Sequence, residues 1–383
     1  MGDLPALREE APPVYYNEEH DFYALSRHED VAAAYKDFAT YSSAYGLDLA
    51  TVRSDEPMPA KMIILMDPPE HRHMRSLVNK VFTPRAIEAM RPMVTATIDR
   101  YISAADPQHF DVVADFSAFF PVEVITQMLG VPEEYRQQVR EWVDKSLHRE
   151  PGQIDMSEEG MQAVAEAMGL YFQLIQDRRA NPQDDMFSRL VAAEITREDG
   201  ELESLDDFEI AGFATLLGGA GAETVTKLVG NAAVTFARHP EQWQKLLDDR
   251  SKIPAAVEEL LRYEPPVHYN VRRSMRDVEL HGVTIPPEGK PVFLLQASAH
   301  RDPEAFTDPD TFDIDRNRTE AQNLGFGYGV HSCLGAALAR METAIALERL
   351  LDLIPHYEVL WDDCRRVVMQ NVAGWSHVPV RVL

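Results

Sequence analysis

Cys333 stands in the run Phe326-Gly327-Tyr328-Gly329-Val330-His331-Ser332-Cys333-Leu334-Gly335, immediately ahead of a helical pattern. The glycines permit a tight turn and leave backbone N–H groups uncovered, free to point at the sulfur. Leu334, Ala337, Leu338, Met341 and Ile345 follow helical spacing, so the segment can pack while its positive end faces Cys333. A helix N-terminus favours the thiolate and lowers its pKa. Such an anion could attack a substrate, react with oxidants or bind a metal. Nucleophilic catalysis needs a base within reach, and His331 is too near along the chain for a base usually drawn from elsewhere in the fold. The only other cysteine is Cys364, so no Cys-x-x-Cys exists and a tetrahedral zinc site is disfavoured. A single thiolate under a large cofactor is the better reading.

The ten-residue run, followed by Ala339-Arg340, resembles the haem-binding signature of the cytochrome P450 family, the haem-thiolate monooxygenases. In that family the thiolate ligand pushes electron density toward the iron and favours O–O cleavage, a property carried over with the resemblance. The resemblance implies a mainly α fold: a large helical body with a smaller β-rich region, and haem b buried between a long central helix and the cysteine-bearing helix. Phe326, Gly327, His331 and Gly335 would border the haem, with Cys333 on its iron.

Composition is consistent with one domain over residues 1–383. The chain is 45% hydrophobic, without internal repeat, low-complexity tract or linker, although longer than the usual domain of about 100–200 residues. Its formal net charge of −26 argues against nucleic acid, which needs a basic footprint. Two cysteines give no disulfide framework, so a reducing cytoplasm is expected. Met1-Gly2-Asp3-Leu4-Pro5-Ala6 carries neither a targeting core nor a membrane anchor. By the standard of the family this start is late, and leading residues are expected to be missing or trimmed.

The elements that would position the site can also be read. Pro13–Tyr16 and Phe22–Leu25 read as strands around a turn. Glu70–Val81, Pro84–Ser103 and Phe116–Leu129 read as helices, and residues 140–180 as amphipathic helices interrupted at Glu150-Pro151-Gly152, a connection expected to move. Val278–Leu280, Val283–Ile285 and Val292–Leu295, with the turn at Pro286-Pro287-Glu288-Gly289, form the sheet region, and the tail Tyr357–Leu383 adds strands. A long helix opens on a capping-box-like Ser204-Leu205-Asp206-Asp207 and stops at His239-Pro240. About 34 residues at about 1.5 Å each span roughly 50 Å.

Halfway along it lies Gly218-Gly219-Ala220-Gly221-Ala222-Glu223-Thr224. Each glycine costs about 1 kcal/mol relative to alanine in a helix, lets a flat group approach the backbone and eases local distortion. Read alone, the run is as readily a helix-packing patch with Glu223 a solvated charge. The resemblance implies otherwise: Ala220-Gly221-Ala222-Glu223-Thr224 matches the family's acid–alcohol motif, in which Thr224 and Glu223 deliver protons during dioxygen activation, with Gly221 against the haem. It also implies propionate contacts from His71 and Arg75, the His-x-x-x-Arg of His71-Arg72-His73-Met74-Arg75, and from Arg272 and His331.

Glu259 and Arg262 share a helix face by their i, i+3 spacing, which alone suggests an exposed ion pair. The family's Glu-x-x-Arg instead pins the loop before the cysteine, with a third basic residue. Phe306–Arg316 matches that third region, but Thr311 stands where Arg or His is expected. The third partner is therefore unassigned, backbone carbonyls being one replacement.

Residues 71–91 hold Arg72, Arg75, Lys80, Arg85 and Arg91 against Glu88. This basic patch reads as a solvated helix face or as the dock of an acidic electron donor. The resemblance implies insertion of one oxygen atom of dioxygen into a lipophilic small molecule. The chain has no flavin or iron–sulfur module, so electrons would come from a separate ferredoxin-type protein and its NAD(P)H-dependent reductase. The implied pocket is lined from Gly46–Ile64, Thr215 and Gly219, Val267–Val271 and Val372–Trp375, with His268 and Asn270 as polar anchors, though a buried core histidine is the commoner role for His268. A haem-thiolate sensor without turnover and a peroxide-driven enzyme on the same fold are the alternatives.

Overall fold

The computed structural model describes residues 12–58, 62–79, 82–150, 152–153, 155–196, 202–287 and 289–383. Expectations for Met1–Ala6, residues 59–61, Lys80, Val81, Pro151 and Glu288 lie outside the described residues.

The chain folds as a helical body beside a smaller sheet region. Helix Asp207–Arg238 runs through the body over 32 residues, roughly 48 Å. Its first turn is capped by Asp206, whose side chain accepts from the Glu209 amide while Glu209 reaches back to the Asp206 amide. The capping box therefore starts at Asp206, not Ser204. Ser204 closes the hairpin Glu194–Thr196/Leu202–Ser204. Helices Phe120–Leu129, Glu133–Leu147, Glu158–Ala180 and Ala336–Leu353 all pack on the long helix. Phe213 and Phe236 from it are fully buried with Phe116, Phe120 and Tyr171, each such ring stabilising by about 1.5–3 kcal/mol through removal from water. The expected helix Phe116–Leu129 divides into a wider turn at Val112–Ser117 and a regular helix from Phe120. Pro84–Ser103 likewise divides at Met90. Val112–Leu129 is the one stretch among the described residues long and apolar enough to cross a membrane, and 72% of it is buried in the body.

The principal sheet places its strands in the order Val14–Asn17, Phe22–Leu25, Pro291–Leu294, Asn270–Ser274, Tyr41–Ser42. Phe293 pairs parallel with Ala24 on one side and antiparallel with Val271 on the other. Its apolar face and helix His28–Lys36 form a second core around Leu25, Tyr35, Val292 and Leu294. Leu324 belongs to that core and Tyr328 packs on it, whereas Phe326 packs against the large helical core. The cysteine loop is thus wedged between the two cores.

A buried ionic cluster braces the wedge. Glu259 and Arg262, on helix Ile253–Tyr263, are 4% and 2% exposed, which removes the reading of a surface pair. Arg262 donates twice to the Glu259 carboxylate, at 2.8 and 2.7 Å. It also donates to the carbonyls of His300, Pro309 and Thr311. The third basic partner is Arg316: its Nε meets Glu259 Oε1 at 3.2 Å, and its remaining N–H groups reach the carbonyls of Thr307, Asp308 and Thr311. Thr311 contributes only its carbonyl. From this cluster His300 Nε2 accepts the Leu324 amide at 2.7 Å, and Asn323 Nδ2 donates to the Glu258 carbonyl at 2.9 Å. The segment before Cys333 is thereby anchored to the Glu259 helix.

Removing one member of a buried pair costs about 3–5 kcal/mol, because its partner stays charged without compensation. Arg316→Leu is expected to lower the denaturant midpoint by that order, whereas Arg91→Leu, which breaks the exposed Glu88–Arg91 pair, leaves it nearly unchanged. Equal midpoints for the two variants would remove the bracing role.

Candidate active site

Two glycines in the cysteine loop adopt the left-handed region, Gly327 at φ 65° and Gly329 at φ 70°, where a side chain is disfavoured. At Gly329 a Cβ would also stand 2.6 Å from the Tyr35 carbonyl oxygen. These turns let the Cys333 amide donate to Phe326 O at 2.8 Å and set the sulfur ahead of helix Ala336–Leu353. A Cβ at Gly335 would stand 4.0 Å from Cys333 Sγ.

Cys333 is accessible although its surroundings are deep in the body. Both facts hold because the sulfur borders a cleft. Burial pushes its thiol up, against the Gly335 amide, Arg75 and Arg340, which pull it down. The expected depressed pKa is therefore opposed: desolvation outweighs the Gly335 amide and the two arginines. A bound metal cation is the group able to hold this sulfur as an anion, since metal binding displaces the thiol proton.

The long helix carries an accessible stripe midway along a mostly buried length. Most of it is buried, yet Thr215, Leu216, Gly219, Ala220 and Thr224 are accessible midway, a stripe at i, i+4, i+8 spacing on one face. A Cβ on Gly219 would meet nothing within 4 Å. Gly221 departs from expectation. A Cβ there would stand 2.9 Å from Ile125 Cγ1, so contact with helix Phe120–Leu129 explains this glycine. The helix is unbroken through Glu223 and Thr224, and Thr224 Oγ1 donates to Ala220 O at 2.9 Å. The anticipated distortion is absent.

Glu223 is 3% exposed and not a solvated charge. Its carboxylate ion-pairs with Lys227 Nζ at 2.9 Å, one turn on. Burial, and then the nearby Glu223 carboxylate, push the carboxyl of Asp144 on helix Glu133–Leu147 up to about 7. Lys227 stands at a helical i+4 spacing and was legible as a neighbour; nothing in the sequence singles out Asp144.

His71, Arg75, Arg272 and His331 converge. The imidazoles of His71 and His331 lie 4.2 Å apart, and Arg272, His71 and Arg75 all act on His331. Burial with those neighbours pushes His331 down to about 2, and burial with Arg75 and Arg72 pushes His71 down to about 4. Both ring nitrogens of His71 and Nε2 of His331 are buried without a hydrogen-bond partner. Arg272, 6% exposed, donates to the Val271 carbonyl. Asp67 is the carboxylate acting on it, and Asp67 is occupied by Ser42 and Ser43. Arg75 donates to the carbonyls of Val330 and Ser332 in the cysteine loop. Among the described residues neither arginine has an ion-pair partner. A buried set of cationic and unsatisfied donors calls for anionic acceptors, and a macrocycle bearing carboxylates, with its metal over Cys333, fits it.

Elsewhere expectations divide. Val267 bridges to Val372, and the Ala373 amide donates to Pro266 O, so these two implied pocket walls do meet. The Asn270 Nδ2 donates to Tyr35 and Gln296. His268 Nε2 is buried without a partner, and burial pushes this imidazole down to about 4. In the basic patch, Arg72 and Arg85 are exposed, Arg91 is paired with Glu88 and Arg75 turns inward. A cleft of about 400 Å³ borders Cys333 on the side of Glu258, Arg316, Arg318 and Arg340.

Comparison with known proteins agrees with this geometry. Residues 13–363 match the family model described as Cytochrome P450. The putative cytochrome P450 123 of Mycobacterium tuberculosis is 42% identical, over 98% of this chain and 92% of that one. The erythromycin C-12 hydroxylase of Saccharopolyspora erythraea is 36% identical, over 98% and 93%. Among solved structures, a mutant of P450 EryK in complex with erythromycin B superposes with a TM-score of 0.89 at 35% identity, covering 99% and 95% of the two chains. CYP109E1 of Bacillus megaterium in complex with testosterone gives 0.88 at 31%, covering 100% and 97%. With its signature loop, helical body and matched relatives, the chain belongs to the cytochrome P450 family of monooxygenases.

Proposed function

We propose that this chain acts as a single-domain, cytoplasmic haem-thiolate monooxygenase of lipophilic small molecules, with haem b held by Cys333. The observation that carries this reading is the accessible Cys333 sulfur inside the body, near buried histidines and arginines that lack an anion. His71, His331, Arg272 and Arg75 would hold the haem carboxylates. Arg75 would exchange its loop carbonyls for a carboxylate, since charge-assisted hydrogen bonds are the stronger ones.

Bound haem supplies the metal at which dioxygen is activated and one oxygen atom is passed to substrate. The chain's own residues do the rest. Thr224 Oγ1 turns from the Ala220 carbonyl toward the cleft and holds a proton there. Glu223, buried behind it, restores that proton. The cysteine loop, braced by Glu259, Arg262 and Arg316, keeps the sulfur in one place through the cycle. An apolar substrate is supported by Ile63, Ile64 and Val267, which the resemblance assigns to the pocket, and by relatives whose structures hold erythromycin B and testosterone.

Electrons would come from a ferredoxin-type protein and its NAD(P)H-dependent reductase. The exposed Arg72 and Arg85 support docking of an acidic donor on an otherwise strongly acidic protein. Arg72→Glu is expected to slow reduction by ferredoxin several-fold at low salt, with a difference that shrinks as salt rises, because such attractions are screened over about 10 Å at 0.1 M. Equal rates for both proteins at every salt concentration would remove that dock.

The reaction itself is tested with a substrate found by spectral-shift screening of the ferric protein. Product should form with ferredoxin, reductase and NAD(P)H. Product with peroxide alone would identify a peroxygenase, and none under either condition a sensor. Thr224→Ala should keep haem and substrate binding but release more peroxide per product. Unchanged coupling would overturn the role of Thr224.

A further inference from the structure

Glu223 has its counter-ion on its own helix. Lys227 Nζ stands 2.9 Å from Glu223 Oε2, with the lysine side chain 5% and the glutamate side chain 4% exposed. Residues at i and i+4 of an unbroken helix keep their Cβ atoms about 5–6 Å apart, so no shift of a neighbouring element separates this pair. The Lys227 stem is packed in place as well. A Cβ on Gly374, in the tail, would stand 2.7 Å from Lys227 Cβ and 3.0 Å from its Cγ. Glu223 Oε2, in contrast, is buried without a hydrogen-bond partner. The pair is therefore a contact of charge without a directed hydrogen bond, and Glu223 is the member able to turn.

Such a contact holds Glu223 in one protonation state only. A buried carboxylate is drawn to the ammonium with little screening, whereas a neutral carboxyl group offers no charge to hold. Resting on the reading that Glu223 restores the Thr224 proton, we infer that Lys227 is a positioning residue of the reaction. It holds Glu223 as the anion, releases it as the acid and recaptures it after delivery. One proton moves: the Glu223 O–H breaks as the Thr224 O–H re-forms, and the carboxylate left behind returns to Lys227. Glu223 then takes its next proton from hydronium of the solvent.

The other charged groups on the elements packed about the pair are engaged elsewhere. Asp144 of helix Glu133–Leu147, on which both Glu223 and Lys227 act, accepts from Arg140 Nη1 at 2.9 Å. Glu123 of helix Phe120–Leu129 meets Arg136 and Arg100. Glu159 and Glu166 of helix Glu158–Ala180 meet Lys145 and Trp142. One turn beyond Lys227, Asn231 donates to the carbonyls of Glu264 and Ala373. Among the described residues Lys227 is the cation in contact with Glu223.

The test is infrared difference spectroscopy of the haem-loaded ferric protein near neutral pH. Relative to wild type, Glu223→Gln should lose a carboxylate stretch; loss of a carboxyl C=O band instead overturns the inference. The band of Glu342, a carboxyl group that burial alone pushes up, is common to both proteins and cancels. Lys227→Met should turn Glu223 into the neutral acid, because a buried charge without compensation takes up a proton. A C=O band should then appear that is missing from the double variant Lys227→Met/Glu223→Gln. Peroxide released per product should rise several-fold in Lys227→Met at unchanged substrate affinity, and Lys227→Arg should restore most of the coupling. A Lys227→Met protein without the new band, or with wild-type coupling, overturns the inference. If that variant does not fold, the comparison of wild type with Glu223→Gln decides, since it leaves position 227 intact. The underlying reading fails separately: full coupling in Glu223→Gln, with its carboxylate stretch lost as expected, would leave the ion pair standing and remove proton delivery by Glu223, and positioning by Lys227 with it.

Discussion

The interior of this protein penalises the anion that its chemistry needs. Burial raises the Cys333 thiol, and neither the Gly335 amide nor two arginines reverses that. A sulfur in this position becomes useful only against a metal cation, and only if the loop carrying it cannot relax away. Both demands are visible in the packing. Leu324 and Tyr328 fasten one side of the loop to the sheet core while Phe326 fastens the other to the helical core. Either core alone would leave the loop free to swing.

The charged groups around this loop are organised in two different ways. Around Glu259 the carboxylate and the Arg262 and Arg316 guanidinium groups all have partners. Arg262 and Arg316 satisfy the carboxylate and between them hold the carbonyls of His300, Thr307, Asp308, Pro309 and Thr311. That is a structural brace, since breaking a paired buried cluster is expensive and its three charged groups are all engaged. Around His331 the opposite holds. Buried imidazole nitrogens without a partner converge with two arginines that, among the described residues, have no ion-pair partner. Arginines without an ion pair, gathered beside buried imidazole nitrogens without a partner, are the mark of a binding surface rather than of a core.

Much of this was legible in the sequence, and for identifiable reasons. The cysteine loop is contiguous, so its turns and the helix after it can be read from neighbouring residues. The long helix was legible because one apolar pattern runs unbroken to His239-Pro240. What escaped reading were contacts between distant segments. Arg316 closes the Glu259 cluster from 57 positions away, and the threonine at 311 drew attention away from it. Gly221 reads as an opening for a flat ligand, yet it is filled by Ile125 from another helix. Asp144 meets Glu223 only because two helices cross, and neither residue's neighbours announce it. Local pattern thus identified the residues with chemistry to do, while the shape of their surroundings required the fold.

The bond between the Cys333 sulfur and haem iron is most directly tested by the absorption spectrum of the reduced, haem-loaded protein under carbon monoxide. The wild type should show the strongly red-shifted Soret band of a thiolate-ligated ferrous haem, and Cys333→His should replace it with the shorter-wavelength band of nitrogen ligation. A wild-type spectrum already of the nitrogen-ligated kind, or a red-shifted band that survives the substitution, would contradict ligation by this cysteine.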